Sequence, residues 1–63
     1  MTEFVAELRD RAAQALQALD EARRVGDDYS VGIHTGEIES IQRLADDHDV
    51  RLPELDAFRG DAA

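Results

Sequence analysis

Cysteine is absent from the 63 residues. Disulfides and thiolate zinc sites are therefore excluded, and with them two staples on which very small domains often rely. Lysine and tryptophan are missing too, and aromatic residues make up only 5% of the chain, so any core must be built from aliphatic side chains and alanine. There is 1 proline, at position 53, which leaves the first fifty residues without a helix breaker of that kind. No apolar run approaches the roughly 18 residues needed to cross a bilayer. The opening "MTEFVAELRD" has neither a basic leader nor an apolar stretch behind it, so a secretory signal is not expected. The default expectation is a cytoplasmic protein.

Positive charge is scarce as well. Fifteen Asp and Glu face 7 basic residues, all arginine, for a net charge of −8. Binding to nucleic acid needs cations to neutralise phosphates, and anionic membrane surfaces make the same demand. Neither is expected as a direct partner. A basic protein partner is compatible with this balance, as is plain solubility. At this length the chain is one small domain, which buries only about 60% of its unfolded surface. Self-association, as a homodimer, is the natural source of further buried area.

Residues 3 to 25 read as one amphipathic helix. Val5, Leu8, Ala12, Ala15, Leu19 and Ala22 follow a heptad spacing, with Phe4 and Leu16 flanking the seam. Thr2 suits the N-cap, and Glu7 with Arg11 and Asp20 with Arg24 are i,i+4 pairs on the outer face. Gly26 offers a left-handed stop. Residues 26 to 28 form the turn, and Asp27 or Asp28 can cap a second helix over 28 to 48. Its seam is Val31, His34, Ile38, Ile41, Ala45 and His48, with Ile33 and Leu44 beside it. Tyr29, Val31 and Ile33 also alternate as a short strand would over 29 to 34. Such a strand would have no partner, so the helix is the better reading. The helix should end near Asp49, which tolerates the left-handed region, with Val50 folding back. The tail, 50 to 63, carries a stripe of Leu52, Leu55 and Phe58, and Pro53 can open one helical turn.

The fold class that follows is all-α: an antiparallel two-helix hairpin with a short C-terminal tail. Each apolar arc is wider than one antiparallel neighbour would cover. Pairing of two hairpins into a four-helix bundle is the economical solution.

Three groups of residues are candidates for a role. His34 and Glu37, three apart on one helix face, can hydrogen-bond, share a proton or bind a metal. Carboxylate bundles that hold metals use Glu-x-x-His with copies on other helices; here the order is reversed and the first helix has no inward carboxylate. The simpler reading makes His34, Glu37 and His48 a buried polar seam that fixes register. Gly32 and Gly36, with Tyr29, form a small-residue face opposite the seam, where glycines lower helix stability unless something approaches closely. That face is a candidate partner surface. Leu52, Leu55 and Phe58 are candidates too: the stripe can dock into a partner's groove or pack back over the open end of its own bundle. "DDHD" at 46 to 49 cannot converge on one ion from consecutive helical positions, and it lacks the calcium-loop pattern. No phosphate loop, nucleophile elbow or dinucleotide fingerprint is present. No catalytic residue, metal site or cofactor is expected.

The stretch "GDDYSVGIHTGEIESIQRLADDHDV", residues 26 to 50, resembles segments of short, acidic, uncharacterised helical-hairpin proteins of bacteria. The resemblance implies helices and no function. "DHDV" departs from the His-Gly ending of such segments, which bears only on how the helix is capped. The expected function is a non-enzymatic protein-protein interaction or regulatory module. The alternative is an acidic regulator that occludes a basic, nucleic-acid-binding partner, as an antitoxin or DNA mimic does.

Overall fold

A computed structural model describes residues 3–55, and every regular element among them is helical. Helix α1 spans Glu3–Val25 and helix α2 spans Asp28–Asp47. The continuous second helix is thus present and residues 29 to 34 belong to it. Thr2 and Phe58 lie outside the described residues, as does the tail from 56 onward.

Two residues join the helices, and each has a distinct task. Gly26 takes φ +73°, where a side chain would be strained. Its N–H donates to Arg23 O at 3.3 Å, and the Asp27 N–H donates to Ala22 O at 2.9 Å. That pair of reversed bonds closes the C-terminus of α1. Asp27 then serves as N-cap of α2: its carboxylate accepts from the Ser30 N–H at 3.2 Å and from the Ser30 hydroxyl at 2.6 Å. One residue ends the first helix with its backbone and starts the second with its side chain.

The same bonds tune acidity. The Ser30 hydroxyl, followed by the Ser30 N–H, holds the Asp27 carboxyl below its ordinary 3.8. A carboxyl with a lowered folded-state pKa stabilises the fold above its unfolded value, and that contribution vanishes as pH falls through the folded value. Asp27→Ala should therefore lower the melting temperature at pH 7, and Asp27→Asn should restore much of the loss, since Asn caps nearly as well. As pH falls through the lowered folded-state value and the carboxyl takes up its proton, the gap between the natural protein and Asp27→Asn should narrow. A gap unchanged from neutral pH down through that value, followed by circular dichroism, would sink the charge-based part of this account.

The end of α2 uses the same device with a different residue. Asp49 adopts φ 56°. Its N–H donates to Asp46 O at 3.1 Å, while Val50 N–H reaches back to Ala45 O at 2.8 Å. Val50 is half-buried and packs against the core.

Packing follows the α1 seam closely. Leu8, Ala12, Ala15, Leu19 and Ala22 are buried, and Ile38 and Ala45 are their buried counterparts on α2. Three of the five buried α1 positions are alanine, so the helices approach closely and Ile38 fills the space between them at 0% exposure. The pairing is antiparallel: Phe4 lies beside His48, ring centroids 4.7 Å apart, at the end opposite the link. Asp20 does pair with Arg24, at 3.9 Å, and Glu21 shares the same guanidinium. Glu7 and Arg11 do not pair, and among the described residues Arg11 makes no ion pair at all.

The tail takes the second of its two expected places, over its own hairpin. Leu52 and Leu55 are 5% and 2% exposed and belong to the hairpin's own core, so they are not a free partner surface. Residues 53–55 turn helically, beginning at Pro53, and the Leu55 N–H donates to Leu52 O at 3.0 Å. Arg9 Nε meets Glu54 Oε2 at 3.2 Å from α1, and Gln42 Nε2 donates to Leu55 O at 3.3 Å from α2. Contact with the Glu54 backbone N–H, and then with Arg9, keeps the Glu54 carboxyl below its ordinary range. The tail is therefore tied to both helices and closes one flank of the seam.

Candidate partner-binding face

Among the described residues the opposite flank stays open. Between α1 and α2 on that side runs a groove of about 500 Å³, floored by Ala15, Ala18 and Ile41. Arg11 and Gln14 form its α1 wall, and His34, Glu37 and Ser40 form its α2 wall. A half-buried apolar floor with polar walls is the general form of a surface that accepts another helix.

The groove contains part of the expected polar seam, and it shows why that seam is not buried. Among the described residues no polar or charged side chain is buried. The His34 side chain is 27% exposed and that of Glu37 is 53% exposed, while His48 is exposed at the C-cap of α2. A straight helix drifts by about 20° per heptad relative to a seven-residue repeat. With Ile38 and Ala45 at the centre of the contact, positions 34, 41 and 48 therefore rotate progressively out of it, toward the open flank. Ile33, expected beside the seam, is rotated further still and is 46% exposed.

Local bonds fix both histidines. His34 Nδ1–H donates to Glu37 Oε1 one turn along α2, which turns Nε2 away from that bond. His48 Nδ1–H donates to Leu44 O at 3.0 Å, as suits a side chain at a helix C-terminus, where carbonyls lack partners. The two are separated by most of α2 and do not form one site. Among the described residues no three His, Asp or Glu side chains are grouped as a metal site requires.

Among the described residues the glycine face stands open. Tyr29 is 79% exposed, and a Cβ built on Gly32 or Gly36 would meet nothing within 4 Å. Nothing among the described residues accounts for glycine at these two positions. Ile33 shares the face, between Tyr29 and Gly36, and exposed Val25 lies just before the link.

Gln14, Ala18 and Ser40 were not singled out from the sequence, and Arg11 was expected only as a partner of Glu7 on the outer face. The clue was present in the width of the two arcs, but width alone does not say which flank the tail covers.

No family model, curated protein or solved structure matches the chain. Among the described residues no helix is long and apolar enough to cross a membrane.

Proposed function

We propose that the protein is a non-enzymatic interaction module that works as a homodimer, two hairpins joining their open flanks into a four-helix bundle. The observation that carries this reading is the asymmetry of the hairpin. Leu52 and Leu55 complete one flank, whereas Ala15, Ala18 and Ile41 floor a groove that nothing among the described residues fills. A domain this small gains stability from any further apolar surface it can bury on association. Dimerisation through the groove leaves the Tyr29, Gly32 and Gly36 face outward, available to a protein partner. The other regulatory reading, mimicry of DNA, would call for an unbroken row of carboxylates. Arg24 between Asp20 and Glu21, and Arg9 on Glu54, break such a row.

Sedimentation over a hundredfold range of concentration tests the dimer. The expected result is a concentration-dependent dimer for the natural sequence and a folded monomer for Ala18→Glu, whose charge would be forced into the dimer core. A dimer of unchanged affinity in Ala18→Glu would move the interface elsewhere; a strict monomer throughout would end the homodimer reading.

A further inference from the structure

The two walls of the groove carry opposite charge: Arg11 on α1, without an ion-pair partner among the described residues, and Glu37 on α2. We infer that the second copy docks with its α1 over α2 and its α2 over α1, the twofold axis running along the helices, and that Arg11 of each chain pairs with Glu37 of the other. This inference rests on the homodimer reading above and specifies its geometry.

Register makes the pairing feasible. Phe4 beside His48 at one end, and the link at Gly26 and Asp27 at the other, put Arg11 level with Ile41. Rotation about an axis parallel to the helices preserves height, so Arg11 of the mate arrives opposite Ile41. Glu37 is one turn away, about 6 Å along α2, within reach of an arginine side chain. The Glu37 carboxylate has one oxygen engaged by His34, and its second oxygen suits a guanidinium, whose fork favours carboxylates. Twofold symmetry forms the pair twice.

The other symmetric docking fails on charge. With the axis perpendicular to the helices, α1 lies over α1 and α2 over α2. Both Arg11 side chains then gather on one seam and both Glu37 side chains on the other. Like charges set against each other disfavour that arrangement, and complementary walls select the first.

Charge reversal separates the two dockings. Arg11→Glu and Glu37→Arg should each weaken the dimer by about ten- to a hundredfold, since each places two like-charged contacts at the interface. Combining them in one chain should bring affinity back to within a few-fold of the natural protein. Mixing the two single variants should give a 1:1 heterodimer tighter than either homodimer. Circular dichroism of each variant shows that the helices persist. Single reversals that leave dimer affinity unchanged would overturn the inferred docking while the dimer itself stands, because perpendicular docking merely exchanges one like pair for another. A double reversal that fails to recover affinity, with helices intact, would overturn it too. A natural sequence that remains monomeric at every concentration would remove the dimer and this docking together, whatever the variants do.

Discussion

Ile38→Ala should leave much of the protein unfolded at 37 °C. Ile38 is the α2 residue at the centre of the core, with 0% exposure, and its neighbours on α1 are largely alanines already. They have no larger side chain to swing into the space. Truncating a buried isoleucine costs about 2–5 kcal/mol, more where the site cannot collapse. A domain of this length has only about 3–9 kcal/mol in total at the usual stability per residue. Urea titration at one fixed protein concentration is the direct measurement, fixed because dimerisation would make stability depend on concentration. A loss below about 1 kcal/mol, the cost of a surface change rather than a core one, would show that α1 and α2 do not pack through Ile38.

The second large effect concerns the tail. In the double variant Leu52→Ala, Leu55→Ala the segment should detach, and the hairpin should lose roughly as much stability as from any two buried leucines, several kcal/mol. Detachment would uncover a second apolar flank on the side opposite the groove. The variant should then form species larger than a dimer at high concentration, where the natural protein does not. Helicity by circular dichroism and mass by light scattering read the two consequences separately. Full retention of stability would mean that the tail is an appendage and that the two helices suffice.

The helices, the link and both helix ends could be read in the sequence because each depends on neighbours in the chain. The heptad on α1 marked its buried face, Gly26 and Asp27 its end and the next beginning, and Asp49 the stop of α2. The fate of Leu52 and Leu55 could not be read in the same way. An apolar stripe looks identical whether it covers its own core or a partner's, and only the path of the chain after Asp49 decides between them. The histidines failed for a subtler reason. Spacing of 3 and 4 marks a stripe, but the slow rotation of that stripe around the helix decides which of its members reaches the contact. Ile38 and Ala45 reach it; His34 and His48 do not. Arg11 shows a third limit. Glu7 stands at the favourable distance in sequence, yet the arginine belongs to the groove wall and leaves that carboxylate alone.

The hairpin is fastened at two places. At one end Gly26 and Asp27 allow no slack between the helices, and toward the other the tail bridges α1 at Arg9 and α2 at Gln42. The span between these fastenings contains the open groove. Its width is therefore set in the single chain, and the docking inferred above would meet walls that need not be drawn together. Less conformational freedom is then lost on association, so a surface of modest area can still bind usefully. Fraying is the usual weakness of a two-helix unit, and the two fastenings keep its effects away from the groove.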